Sequence, residues 1–184
     1  MTRINWMRLY WLSSLMALLL SSLSAIAESS SRITGEAVEQ GIVLNGTWKF
    51  HWGELLDGPQ LQESVDDAQN YPVPLNWNYF ENAEYPSGHP PFGCATLWTW
   101  LDVDASVSES LALYVREVNT AARFYVEYPS GSSKEVVSVG TVSCEKDAAR
   151  PLWLPTVAPL HLEVGRHRLV WQISNFHFDR GGPV

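Results

Sequence analysis

The sequence predicts an all-β fold, a sandwich or barrel of short strands. Composition is the first reason, because nine Trp, seven Tyr and six Phe stand beside eleven Pro and twelve Gly in 184 residues. Aromatic residues favour strands, whereas Pro and Gly favour turns. Spacing is the second: after Gly41, short apolar stretches are separated by turn residues about every ten positions, as in sandwiches and barrels. With 17% charged residues, the chain is expected to form one ordered domain.

The first 27 residues have the composition of an export signal. Arg3 and Arg8 give a basic start, the stretch from Leu9 to Ala27 is uncharged, and Ala-Ile-Ala precedes Glu28. A secretory signal peptide has this order, so residues 1–27 are predicted to be a signal peptide that is cleaved after Ala27. An uncleaved N-terminal anchor is the alternative, because the uncharged stretch approaches the length of a membrane helix.

The following residues divide into a leader and a series of strands. Residues 28–40 are polar and serine-rich without a clear period, so they are predicted to be a leader and residues 41–184 the domain. Residues 48–52 alternate aromatic with polar side chains, which predicts a strand with one buried face. Further strands are predicted at 94–103, with apolar bulk on both faces, and at 110–118, 123–128, 134–139 and 167–173.

Two stretches lack strand patterns. Residues 57–71 are acidic and polar, and could form one short helix or none. Residues 71–93 hold five prolines among six aromatic or histidine side chains beyond Tyr71. A loop of this length inside a compact domain is usually functional or mobile, and its aromatic content is the strongest local indication of a binding surface.

The two cysteines are Cys94 and Cys144. Two cysteines of an exported protein in an oxidising compartment are more often joined than free, so a disulfide between them is expected. Two buried free thiols are the alternative. A third cysteine and a CxxC spacing are both absent from the sequence, which argues against a structural zinc site.

Charge and motifs exclude several functions. A formal net charge of −8 gives no electrostatic attraction to nucleic acid. The five histidines form no HxH or HExxH pattern, and the sequence contains no GxSxG, Walker or dinucleotide motif. The twenty acidic residues include no recognisable pair for glycoside hydrolysis. We therefore predict no catalytic residues, metal or cofactor, and a protein that is not an enzyme.

Binding by aromatic stacking suits the composition better. Sugar rings have apolar faces that lie on flat side chains, while nearby Asn, Asp, His and Arg bind the hydroxyls. A Trp in a sandwich is nevertheless more often a core residue, and Arg123 could equally pair with a buried acid. The candidate ligand-binding residues are Trp77, Tyr79, Phe92, Trp100, Arg123, Asn175, His177 and Arg180.

A series of motifs in fixed order resembles a known family. They read LNGTWKFHWGELL at 44–56, VPLNW at 73–77, GCATLW at 93–98, LALYV at 111–115, AARFYV at 121–126, Val-Gly at 139–140 and ISNFHFDRGG at 173–182. Together they resemble the extracellular sensory domain of bacterial seven-transmembrane receptors with diverse intracellular signalling modules.

The resemblance implies a jelly-roll β-sandwich, similar to the sugar-binding domain of family 2 glycoside hydrolases and to galactose-binding-like modules. It implies a carbohydrate or related small-molecule ligand, and a location in the periplasm or on the outer face of the inner membrane of a Gram-negative bacterium. Such a domain precedes seven membrane helices joined to a signalling module.

The sequence departs from the family in two places. The family's tyrosine after the glycine is Cys94 here, and its following tyrosine and arginine are replaced in Leu97-Trp98-Thr99. The family also continues past the position of Val184 into a closing strand and the membrane helices. We therefore expect a truncated sandwich without its last strand, attached to a membrane only through a C-terminal region missing from this chain or through an uncleaved N-terminal anchor.

Three functions remain open at this stage. The first is a ligand-binding sensor domain of a membrane receptor, and the second is a carbohydrate-binding domain of a secreted glycoside hydrolase. The third is an interaction module that contacts another periplasmic protein through the aromatic loop.

Overall fold

Strands dominate the computed structural model, which describes residues 30–107, 110–152 and 154–184; the predicted signal peptide lies outside these ranges. The described strands are β1 Ser30–Ile33, β2 Gly46–Trp52, β3 Gln69–Val73, β4 Gly93–Val103, β5 Leu111–Val115, β6 Val118–Asn119, β7 Ala121–Glu127, β8 Ser133–Val139, β9 Thr156–Leu160, β10 Gly165–Asn175 and β11 Gly182–Pro183. The helices are α1 Gly35–Gln40, α2 Gly58–Glu63 and a 3-10 helix at Trp77–Tyr79.

The strands form two layers. A seven-stranded sheet has the order β3-β2-β4-β10-β7-β8, and β1 pairs with β4 in parallel beside β2. Two small sheets, β5-β9 and β6-β11, form the opposing layer. The long central pair runs antiparallel from Gly93 opposite Asn175 to Val103 opposite Gly165. The predicted all-β jelly-roll sandwich is confirmed.

The core fills the space between the layers, where period-two alternation points apolar side chains inward. Trp48 and Phe50 from β2, Leu97 from β4, and Trp171 and Ile173 from β10 are buried in one cluster. Side chains from β5, β6 and β9 belong to the same cluster, and the inner-facing side chains of the small sheets are Leu113, Val115, Val118 and Leu160. The alternating patterns at 48–52 and 167–173 thus identified the buried face correctly.

The other face of the large sheet is also covered. Residues 53–68, including α2, lie across it and bury Leu56 and Leu61 against Trp98, Tyr125 and Val170. This second layer of packing explains why β4 carries large apolar side chains on both of its faces. At the start of helix α2, the Asp57 backbone N–H donates to the Gln60 Oε1 at 3.3 Å, and the Gln60 backbone N–H donates to the Asp57 carbonyl at 3.0 Å.

The ordered domain begins earlier than the sequence predicted. Residues expected to belong to a polar leader form β1 and α1, and Ile33 is buried in the main core. Thr34 caps α1 by accepting a hydrogen bond from the Ala37 backbone N–H at 3.2 Å. A four-residue strand with one core side chain is too short to show alternation, which is why the pattern missed it.

The described residues include no helix with the length and apolar character needed to span a bilayer.

Candidate functional site

Two loops meet at one end of the sandwich, where β4 begins and β10 ends. Residues 76–93 lead into β4, residues 175–182 follow β10, and Gly93 lies opposite Asn175 in the sheet. We call these two segments together the rim. It holds six of the eight candidate binding residues, namely Trp77, Tyr79, Phe92, Asn175, His177 and Arg180.

Asn175 joins the two loops by hydrogen bonds. Its side chain is buried, and its Nδ2 donates to the carbonyl oxygens of Pro91 at 2.8 Å and Phe178 at 2.7 Å. Its Oδ1 accepts from the backbone N–H of His177 at 3.3 Å and of Phe178 at 3.1 Å. Asn175 is therefore an organising residue of the rim, and its side-chain amide forms hydrogen bonds within the protein through both of its polar atoms.

Trp77 is the buried centre of the rim. Its side chain is 0% exposed, and its indole Nε1 donates to the Pro91 carbonyl at 3.3 Å. Its backbone N–H donates to the Gly181 carbonyl at 2.9 Å, and a Cβ at Gly181 would overlap the indole ring. The ring therefore offers no open face, and the predicted stacking role is wrong for Trp77. The sequence could not show this, because one of the residues that enclose the ring, Gly181, lies near the far end of the chain.

Most other aromatic groups of the longer loop also face inward. His89 is 3% exposed, with ring centroids 4.2 Å from Tyr85, 4.7 Å from Trp52 and 5.2 Å from Phe50. Burial lowers the pKa of His89 to about 4, so the imidazole is neutral at physiological pH. Its Nε2 then accepts from the Asn82 Nδ2 at 2.9 Å.

Asn82 organises this part of the loop. Its Oδ1 accepts from the backbone N–H groups of Glu84 at 2.9 Å and Tyr85 at 2.8 Å, and its Nδ2 also donates to the Gln69 Oε1 at 2.9 Å. The sequence analysis missed Asn82 and His89 as organising residues. The only local signal is an Asn shortly before the Tyr-Pro-Ser-Gly turn, where Asn side chains often bond to nearby backbone groups.

The rim presents a small set of exposed side chains to solvent. Tyr79 is 58% exposed and Phe92 is 53% exposed, and His177 and Arg180 are exposed on the shorter loop. Two flat apolar faces and two polar groups thus remain available on a framework that internal hydrogen bonds hold in place. Such a mixture can bind a ligand that has both apolar faces and polar edges.

The other two candidates lie away from the rim, on the face covered by residues 53–68. Trp100 stands seven residues along β4 from Gly93, about 23 Å at the usual strand rise. Its ring is half-buried beneath the guanidinium groups of Arg166, at 4.6 Å from the ring centroid, and Arg168, at 4.5 Å. Its ring is therefore already in contact with two cations.

Arg123 is held by a neighbouring strand. Its Nε donates to the Gln172 Oε1 at 2.8 Å, and the Gln172 Nε2 donates to the Leu56 carbonyl at 2.8 Å. The partner of Arg123 among the described residues is therefore the Gln172 amide and not a buried acid. This network fastens residues 53–68 to the sheet.

The predicted disulfide is present between Cys94 and Cys144. Cys94 follows Gly93 at the start of β4, so the bond ties residues 141–150 to the sheet beside the rim. The Ser143 backbone N–H donates to the Ser174 Oγ at 3.3 Å, next to Asn175. The bond thus supports the edge of the rim from outside.

Comparisons with known proteins agree with the fold. No protein-family model matches the chain, and no curated protein matches its sequence. Among solved structures, a β-glucuronidase of Faecalibacterium prausnitzii is similar over 73% of this chain, with 18% identity and a TM-score of 0.53. A β-glucuronidase of an uncultured Clostridium sp. is similar over 73%, with 21% identity and a TM-score of 0.50.

A β-galacturonidase of glycoside hydrolase family 2 from Eisenbergiella tayi is similar over 74% of this chain, with 18% identity and a TM-score of 0.47. The chain spans only 20%, 22% and 21% of the lengths of these three enzymes. At these identities the first two likenesses establish a shared β-sandwich fold.

Proposed function

We propose that this protein is an exported, non-catalytic carbohydrate-binding domain whose ligand lies on the rim. The observation that carries the proposal is the pair of exposed aromatic rings, Tyr79 and Phe92, on loops that internal hydrogen bonds hold in place. Aromatic rings supply flat apolar surface for sugar faces, and a fixed framework lowers the entropic cost of binding.

The fold supports a role in carbohydrate recognition. Two of its solved neighbours are β-glucuronidases, and the similar region makes up about a fifth of each of their chains. A sandwich of this kind therefore occurs within longer proteins that are named for acting on carbohydrates. Function nevertheless depends on the site more than on the fold, so the proposal rests primarily on the rim.

Within that function, we propose that the domain is the sensory module of a membrane receptor. The order of the sequence motifs and the signal-like N-terminus support this role. A non-catalytic domain of a secreted glycoside hydrolase is the second candidate, and the β-glucuronidase neighbours favour it. The coding sequence downstream of Val184 discriminates between them: seven apolar segments support the receptor, and a series of βα repeats supports the hydrolase.

Calorimetric titration of the purified protein with neutral and acidic oligosaccharides tests binding at the rim. Tyr79→Ala and Phe92→Ala should each weaken binding by about tenfold to a hundredfold, the usual value of a stacked ring. Tyr114→Ala is the matched control, because Tyr114 is 60% exposed but lies on β5, in the opposing layer. Binding that is lost equally in the Tyr114 variant, or absent for every sugar, would contradict the proposal.

A further inference from the structure

Arg180 differs in its contacts from most of the arginines in the described residues. Other described arginines are already engaged with carboxylate, amide or carbonyl oxygens, and these are Arg32, Arg123, Arg150, Arg166 and Arg168. Arg180 and Arg116 have no such partner within the described part of the chain. Of these two, only Arg180 belongs to the rim. Its guanidinium is the unmatched strong hydrogen-bond donor of this surface.

The backbone around Arg180 is held firmly. The next residue, Gly181, donates its N–H to the Asn78 Oδ1 at 2.8 Å and accepts from the Trp77 N–H at 2.9 Å. Tyr79 follows Asn78 directly, so these hydrogen bonds place Arg180 and Tyr79 on adjoining turns. A donor whose backbone is fixed in advance loses less entropy when it binds a ligand.

The chemistry of this pair indicates a ligand class. A guanidinium binds a carboxylate through two parallel N–H···O bonds, whereas an exposed phenol ring stacks on the face of a sugar. From this arrangement we infer that the ligand of the rim is an acidic sugar, whose carboxylate pairs with Arg180 while its ring lies against Tyr79. The inference rests on the proposed function of the rim and specifies its substrate class.

The remaining charges of the rim limit how many carboxylates it accepts. Glu81, Glu84 and Asp179 are exposed on the same two loops. These three acidic side chains would repel an oligosaccharide that contains several uronic acids. The favoured ligand is therefore a neutral oligosaccharide that carries a single acidic sugar. A suitable probe is therefore xylotriose that carries one glucuronic acid, compared with the same oligosaccharide after its carboxyl group has been reduced to an alcohol.

Titration of both probes into three proteins tests the inference. The wild-type protein should bind the acidic probe about tenfold to a hundredfold more tightly than the reduced probe, the usual value of a hydrogen bond between charged groups. Arg180→Gln should bind the two probes equally. Arg32→Gln makes the same change of charge at the far end of β4, where Arg32 lies opposite Asp102, and should keep the wild-type preference.

The outcomes separate this inference from the function on which it rests. If the wild-type protein binds both probes equally, and Tyr79→Ala weakens both, the inference is overturned while the proposed function stands. If Arg180→Gln keeps the preference for the acidic probe, Arg180 does not bind the carboxylate and the inference is also overturned. If neither probe binds the wild-type protein and no other sugar does, both proposals fail.

Discussion

Strand β4 has arginine and aromatic side chains near both of its ends, and the two groups differ in what the arginines contact. Near Trp100, Arg168 lies over the indole ring and pairs with Glu127 at 3.1 Å. On the rim, Arg180 has no carboxylate partner among the described residues, and the ring of Tyr79 is open to solvent. Similar residue types thus build a closed cluster at one end and an available surface at the other.

The difference shows that residue composition alone does not identify a binding surface. Trp100 and Tyr79 are equally plausible stacking residues in the sequence, but the ring of Trp100 already contacts two guanidinium groups, whereas Tyr79 is 58% exposed. The same distinction holds within the rim, where Trp77 is enclosed and Tyr79, two residues later, is exposed. The variants below test these contrasts.

The largest effect is expected from removing the buried ring of the rim. Trp77→Ala should lower the free energy of unfolding by about 3–5 kcal/mol, because it leaves a cavity between the two loops. Tyr79→Ala should change it by only about 0.5 kcal/mol, as is usual for exposed positions. Chemical denaturation monitored by fluorescence measures both values. If both variants lost the same free energy of unfolding, the assignment of Trp77 to the core and of Tyr79 to the surface would be wrong.

A smaller but clear effect is expected from the closed cluster. Arg168→Gln should lower the free energy of unfolding by about 3 kcal/mol, because the half-buried carboxylate of Glu127 would lose its cation. Arg180→Gln, which removes the same charge from the rim, should stay within about 0.5 kcal/mol of the wild type. The comparison fails if Arg180→Gln proves as destabilising as Arg168→Gln in urea denaturation.

The third effect depends on pH and concerns His89. Its pKa is lowered to about 4 by burial, so between its ordinary value of 6.5 and about 4 the unfolded chain binds a proton that the folded protein does not. Stability should therefore fall as the pH falls through this range, by at most about 3 kcal/mol. Urea denaturation at pH 7 and pH 4.5 measures the fall.

His89→Gln should reduce this pH dependence, whereas His177→Gln, at an exposed position of the rim, should leave it unchanged. Carboxyl groups also titrate below pH 5. The quantity to compare is therefore the slope of the unfolding free energy against pH, in each variant and in the wild type. An unchanged slope in His89→Gln would mean that the imidazole is accessible to protons in the folded protein.

Much of the fold could be predicted because it depends on local patterns. The alternation at Trp48 and Phe50 and at Leu169 and Trp171 follows directly from one-sided burial in a sheet. The disulfide could be predicted from the signal-like N-terminal sequence together with the even number of cysteines. By contrast, β1 was missed because its pairing with β4 joins residues far apart in sequence, with a single buried side chain, Ile33, to indicate it.

The candidate site was harder to predict, and for a related reason. The position of the rim could be inferred, because prolines and aromatic residues cluster in one long segment. The sequence does not show which of its rings points inward, because the enclosure of Trp77 depends on Gly181, which lies more than a hundred residues later in the chain. Likewise, the pairing of Arg168 with Glu127 depends on the register between β10 and β7, which the sequence does not state.

The central claim is that the ligand meets the rim and not the cluster around Trp100. Backbone amide NMR of the labelled protein, titrated with the xylotriose that carries one glucuronic acid, tests this most directly. The account predicts that the shifted resonances belong to residues 76–93 and 175–182, with Tyr79, Phe92 and Arg180 among the most affected. Shifts confined to Trp100, Arg166 and Arg168, with the rim unchanged, would contradict it.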